Sequence, residues 1–166
     1  YICFCFQYCF VSMELNEASL IEREIVIRRM QLTGDVLETR RSIARWLALA
    51  LGIINPGESR LSAVAVLDAL VDFQFIRNID PTAKDLMDYI GKNWESINEK
   101  TLRYHLLRMK NMGIVENKEG KFFFRPPAVG NRYDAVAWAE QLFRPELDDV
   151  SKKIGEAIKA IKSKSV

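Results

Sequence analysis

The chain has 166 residues, of which 49% are hydrophobic and 28% charged, and its formal net charge is +2. This composition suits one fair-sized globular domain, or a small domain with helical extensions, and argues against an intrinsically disordered chain. With so small a net charge, any nucleic-acid partner has to be argued from where the charges sit.

Residues 1–12 are uncharged, largely aromatic and aliphatic, do not begin with methionine, and contain all three cysteines, Cys3, Cys5 and Cys9. They lack the basic leading region and small-residue cleavage site of a signal peptide, and they are too few to span a bilayer. We expect them to be a non-native or start-site extension, with the native protein beginning at Met13. A native version would be a β-prone strand in need of a partner edge. A metal site built on the three cysteines would lack a nearby histidine or fourth cysteine. The remaining chain has no cysteine, which suits a reducing cytoplasm.

Residues 14–51 show helical periodicity, with Leu20, Ile21, Ile25, Ile27, Val36, Leu37, Ile43, Trp46, Leu47 and Leu51 as apolar positions. Thr33-Gly34-Asp35 is the expected interruption. Residues 46–54 are apolar nearly all round, so this helix should be buried at its end before stopping at Asn55-Pro56-Gly57. A third helix, capped by Ser59 or Ser62, is expected to reach about Phe75 with Val64, Leu67, Leu70 and Val71 inward. Asp80-Pro81-Thr82 opens a short fourth helix over 83–92, with proline in its first turn and Asp80 as its expected cap. Asn98 caps the next helix, which ends at Gly113. Residues 114–116 and 121–125 are expected strands around a polar turn at 117–120. Residues 133–143 and 145–163 read as two further helices.

Helical geometry puts Leu102, Leu106 and Met109 on one apolar stripe of the 98–112 helix, with His105 at its edge. The opposite face carries Lys100, Tyr104, Leu107, Arg108 and Asn111, flanked by Thr101 and Arg103. In the hairpin, Lys121, Phe123 and Arg125 alternate with Phe122 and Phe124, so one set must face the core. Residues 98–125 hold seven basic side chains against three acidic ones, whereas 59–97 hold four against six. Such polarisation is expected of a molecule with one DNA-facing side.

Residues 101–115, Thr-Leu-Arg-Tyr-His-Leu-Leu-Arg-Met-Lys-Asn-Met-Gly-Ile-Val, resemble the recognition helix and first wing strand of ArsR-like and archaeal winged-helix regulators. The matching positions are His105-Leu106, Met109 and Gly113-Ile114-Val115, and the resemblance covers roughly the central two-fifths of the chain. It implies a mainly α fold with a small β-hairpin wing, in which a winged helix-turn-helix core carries N- and C-terminal helical extensions. The expected partition is 13–57 for the N-terminal extension, 58–127 for the core and 128–166 for a C-terminal dimerisation segment. The metal-sensing cysteines of some ArsR-like proteins have no counterpart in these helices.

These readings converge on a cytoplasmic, sequence-specific regulator of transcription that binds double-stranded DNA. The 98–112 helix would enter the major groove and the 114–125 wing would lie on the backbone. Lys100, Thr101, Arg103, Tyr104 and Arg108 would read bases or phosphates, while Lys118, Lys121 and Arg125 hold the backbone. The alternative is a winged-helix protein-protein interaction module in a larger transcription or replication assembly, which outward Leu107 and Phe123 would favour. No phosphate-binding glycine loop, paired metal-ligand motif or nucleophile elbow is present, so neither an enzyme nor a cofactor is expected. His105 is expected to be a hydrogen-bonded residue at the helix edge, and Trp46, Trp94 and Trp138 to be core aromatics. Leu147, Ile154 and Ile161 recur every seven residues, with Val150 and Ala157 between them. This stripe would either pack on the chain's own N-terminal helices or form a homodimer seam, and helices bearing Arg40, Arg41 and Arg45 offer a second seam. No membrane contact is expected.

Overall fold

The computed structural model describes residues 17–59 and 61–164. Residues 1–12, and with them the expectation of a start-site extension, lie outside the described residues. The described residues are mainly helical with one small two-stranded antiparallel sheet. After a 3-10 turn at Glu17–Leu20 come α1 (Gly34–Leu37), α2 (Arg40–Ala50), α3 (Ser62–Val71) with a π-helical continuation at Asp72–Ile76, α4 (Ala83–Asn93) and α5 (Glu99–Asn111). A hairpin of β1 (Val115–Lys118) and β2 (Lys121–Phe124) follows, then α6 (Ala135–Gln141) and α7 (Arg144–Lys164). No helix among the described residues is long and apolar enough to cross a membrane.

The fold is organised around α3, whose residues Ala63 to Leu70 are all buried. Helices α2, α4 and α5 and strand β2 all pack on it. Two buried carboxylates, Asp68 and Asp72, sit on or just beyond this helix. Asp68, 4% exposed, accepts hydrogen bonds from Arg40 Nε of α2 (2.7 Å), Tyr89 Oη of α4 (3.0 Å) and Trp94 Nε1 just beyond α4 (2.9 Å). Asp72, one turn on, pairs with Arg40 (3.1 Å) and Arg77 (2.5 Å). Burial and the Asp68 carboxylate push the Tyr89 phenol up, which keeps it a protonated donor.

The main departure from expectation is at residues 21–33, which form no helix and run as an irregular strap over the C-terminal end of α2. Ile25-Val26-Ile27 is a β-branched run that loses side-chain freedom in a helix, and the strap's polar groups find better partners elsewhere. Arg28 donates its backbone N–H to Ala50 O (2.9 Å), and its guanidinium reaches Leu49 O (2.6 Å), Ile54 O (3.0 Å) and Asn55 Oδ1 (2.8 Å). It thereby satisfies carbonyls that a helix end leaves unpaired. Trp46 donates its indole N–H to Gln31 O (2.8 Å). Gly52 permits this approach: its φ is +68°, and a Cβ there would lie 2.8 Å from both Val26 O and Val26 Cβ. The residues that follow α2, Leu51, Ile53 and Ile54, are buried, as the all-round apolar run implied.

Two expected caps are reassigned. Neither Ser59 nor Ser62 caps α3: the N-cap position is Leu61, which makes no side-chain cap. The Ser62 hydroxyl instead lies 2.9 Å from His105 Nε2. Helix α4 is capped by Thr82 in a capping box with Asp85, which frees Asp80 to pair with Arg132 at 2.9 Å. Asn98 caps α5 as expected, accepting from the Thr101 N–H at 2.8 Å.

Strand β1 pairs with β2 from Val115↔Phe124 to Lys118↔Lys121. The turn is only Glu119-Gly120, both left-handed at φ +54° and +77°, which suits a tight hairpin. Thr82 makes an isolated antiparallel bridge to Lys121, and Phe122 N–H donates to Pro81 O (2.9 Å). The hairpin is thus tied to the segment that starts α4. Phe124 anchors its other end, stacked on Phe75 at 5.2 Å and against Trp138 of α6 at 4.7 Å.

The polar centre makes a stability prediction. Asp68→Ala leaves the buried Tyr89 hydroxyl and the half-buried Trp94 indole without their acceptor and should cost on the order of 3 kcal/mol, read as a lower urea midpoint. A midpoint unchanged within error would show that the network contributes nothing. Gly52→Ala should also destabilise, and hydrogen exchange should speed up at Arg28 in the strap but not at the centre of α3.

Candidate nucleic-acid interface

Helix α5 is divided lengthwise. Leu102, Leu106 and Met109 are 0%, 3% and 0% exposed, and they fix which face is left for solvent. On that outer face Lys100, Arg103, Tyr104 and Leu107 are exposed, Arg108 is half-buried, and Thr101 is half-buried at the flank. The structure therefore brings together all five residues that the sequence assigned to this helix. Lys118 and Lys121, at the tip of the adjoining hairpin, are exposed as well.

Several of these side chains already have partners. Arg103 donates from Nε and Nη2 to Glu99 Oε1, one turn back, at 2.8 and 2.6 Å. Both residues are more than half exposed, so the pair stabilises little and Arg103 can be drawn away by a stronger acceptor. Arg108 lines a shallow groove with Tyr104, Leu107, Asn111 and two residues of the strap, Arg23 and Glu24. Arg108 and Lys110 also lie in the last turn of α5, where positive charge favours the helix itself.

Arg125 does not stand free on the hairpin. Its guanidinium pairs with Glu146 of α7 at 2.5 Å and lies 3.8 Å from Glu116. Arg23 reaches the same Glu146 at 3.4 Å. Burial alone would raise the Glu146 carboxyl, but the Arg125 hydrogen bond and the two nearby guanidiniums hold it below its ordinary value. A Cβ at Gly113, whose φ is +75°, would meet both guanidinium groups. Arg125 is thus a clasp joining hairpin, strap and α7. Phe123 is not outward either: it is 8% exposed and covered by the Arg132 guanidinium, 4.6 Å from its ring.

Sequence reasoning missed Lys110 and Arg23 as neighbours of this face. Lys110 is exposed beside a groove of about 420 Å³ between α5 and the hairpin, lined also by Arg103, Leu107, Asn117 and Phe122. Its position in the helix was legible. Arg23 was not, because the segment that delivers it was read as helical. A second cleft, of about 410 Å³, opens at the start of α5 and is lined by Ser62, Trp94, Ser96 and Thr101 together with Arg41. Arg41 lies 4.9 Å over the Trp94 ring and donates to Asn93 O (3.0 Å). Arg45 donates to Glu58 O (2.9 Å). With Arg40 held by Asp68, all three arginines expected to offer a dimer seam are engaged within the chain.

His105 matches its expected place, 9% exposed at the edge of the apolar stripe. Its Nδ1 is buried with no hydrogen-bond partner among the described residues. Burial, helped by the positive charge of Arg108 and opposed by Glu58, holds the imidazole below its ordinary 6.5. Protonation then favours the unfolded chain. Stability from the neutral ring is full above pH 6.5 and declines as the pH falls through the lowered folded value. The melting temperature should therefore drop as the pH falls from 6.5 toward the lowered folded value, and His105→Gln should remove this part of the pH dependence. Identical pH profiles for the two proteins would contradict the assignment.

No family model, curated protein or solved structure matches the chain.

Proposed function

We propose that the chain is a winged helix-turn-helix protein that binds double-stranded DNA sequence-specifically and regulates transcription as a homodimer in the cytoplasm. The observation that carries this reading is the division of α5. One face is buried to 3% exposure or less at Leu102, Leu106 and Met109. The other presents Lys100, Arg103, Tyr104 and Arg108 beside exposed lysines of the hairpin. The order of elements supports the winged-helix core: α3, the short bridge at Thr82, α4, a turn, α5, then β1 and β2. In this reading α5 enters the major groove, where arginine pairs with guanine edges, and Lys118 and Lys121 grip phosphates from the wing. Thr101 and Lys100, at the start of α5, sit where a helix N-terminus meets a phosphate. Arg125 acts one step back, by fixing the hairpin against α7.

A protein-interaction module remains the second reading, favoured by one observation. Leu107 is 58% exposed at the centre of the presented face, and with Phe122 it lines the groove between α5 and the hairpin. The loss of outward Phe123 weakens this reading.

Fluorescence anisotropy on random duplex DNA across a salt series separates the two. DNA binding predicts micromolar affinity that weakens steeply with salt, and no binding at low salt would favour the protein partner. Arg108→Ala should cost about 1–3 kcal/mol at a guanine contact, whereas Lys118→Ala and Lys121→Ala should mainly flatten the salt dependence. Glu99→Ala should tighten binding, because it releases Arg103 and removes a negative charge from the face. Weaker binding in that variant would count against Arg103 as a DNA contact.

A further inference from the structure

We propose that Leu107 reads the methyl group of a thymine in the major groove, while the two strands of the duplex pass along the grooves on either side of it. This rests on the DNA reading above and accounts, within it, for the exposed leucine. Leu107 is 58% exposed and lines both grooves that flank the outer face of α5, so it stands on the ridge between them. The groove toward the hairpin, about 420 Å³, carries Arg103 and Lys110. The groove toward the strap, about 380 Å³, carries Arg23 and Arg108. Arg103 and Arg23 are held by Glu99 and Glu146, and one further carboxylate lies in each groove, Glu116 and Glu24. Lys110 and Arg108 make no ion pair among the described residues. One uncommitted cation therefore flanks Leu107 on each side.

Shape and charge select the occupant. An apolar ridge with a cation on each flank is the relief of a helix that enters a groove bounded by two phosphate strands. The major groove of duplex DNA is about 12 Å wide and admits one helix, so phosphates meet the flanks of that helix and base edges meet its ridge. A leucine side chain neither donates nor accepts a hydrogen bond, and the thymine methyl is the apolar group that bases present there. A protein partner fits less well. A standard interface buries about 800 Å² on each side around an apolar centre. The neighbours of Leu107 one turn away on the outer face, Arg103, Tyr104, Lys110 and Asn111, all end in polar or charged groups, and Phe122 across the hairpin groove is already half-buried. One leucine among such neighbours offers the area of a methyl contact. Covering Arg108 and Lys110 with protein would also cost their hydration unless a carboxylate met each, whereas phosphates supply the opposite charge on both sides.

A base analogue tests the contact. A duplex site is first selected from random sequence with the full chain, and each thymine in it is then replaced in turn by deoxyuridine, which lacks only the methyl group. Affinities are read by fluorescence anisotropy at one fixed salt concentration. For at least one thymine, deoxyuridine should weaken binding about threefold, the effect of one methyl group returned to water. The Leu107→Ala protein should bind the thymine and deoxyuridine forms of that site equally. This comparison is made within one variant, and the altered side chain is exposed, so an unchanged circular-dichroism melt is expected alongside it. A loss of the same size in both proteins, or no thymine whose methyl matters to the unaltered chain, would overturn the role of Leu107 and leave the DNA reading standing. Failure to bind any duplex at low salt would overturn both and give this face to a protein partner.

Discussion

The fold depends on one buried carboxylate. Asp68 lies on the central helix and receives a guanidinium from α2, a phenol from α4 and an indole from the segment just after it. A buried charge without partners would be costly, so these groups must converge for the chain to fold as it does. Their convergence sets the position of α4 against α3, and α4 with its turn sets α5. The apolar packing is less directional. The buried faces of α3 and α5 would tolerate small rotations, whereas three hydrogen bonds to one carboxylate do not.

A second set of charges surrounds the presented face. Glu146 gathers Arg125 from the hairpin and Arg23 from the strap, and thereby fastens the first turn of α7 to the end of α5. The strap is itself held by Arg28, which donates to Leu49 O and Ala50 O at the end of α2 and to Ile54 O just beyond it. The molecule is therefore closed by arginines reading backbone and carboxylate oxygens, which are also the groups an arginine meets on nucleic acid. Basic residues here divide into those consumed by the fold, such as Arg28, Arg40 and Arg125, and those left over, such as Lys100, Lys118 and Lys121. Only the second group is available to a partner, and these three lysines lie on α5 and the hairpin tip. Arg103 stands between the two, because its bonds to Glu99 are exposed and exchangeable.

The last helix follows a different logic from the rest. Helices α2 to α6 each bury at least one side chain, and α7 buries none.

Much of this was legible in the sequence, because it rests on local rules. The stripe Leu102, Leu106 and Met109 determined which way α5 faces, Asn98 marked its start and Gly113 its end. The alternation of Lys121 to Arg125 located a strand, and residues 46–54 announced a buried helix end. What local rules could not supply was the choice of partner for groups that have several. Thr82 rather than Asp80 caps α4 because Arg132, 52 residues away, claims the aspartate. Phe123 is buried by that same arginine, and Arg125 turns to a glutamate 21 residues on. Apolar spacing alone read residues 21–33 as helical, whereas the β-branched run Ile25-Val26-Ile27 disfavours a helix, and Gly52 with the end of α2 gives the strap somewhere else to lie. Periodicity and capping are written in neighbouring residues, so the sequence alone determined the elements of the core and their faces. Ion pairs and long-range hydrogen bonds are chosen among distant groups by proximity, so only the tertiary structure decided which charges the fold consumes and which it leaves for a partner.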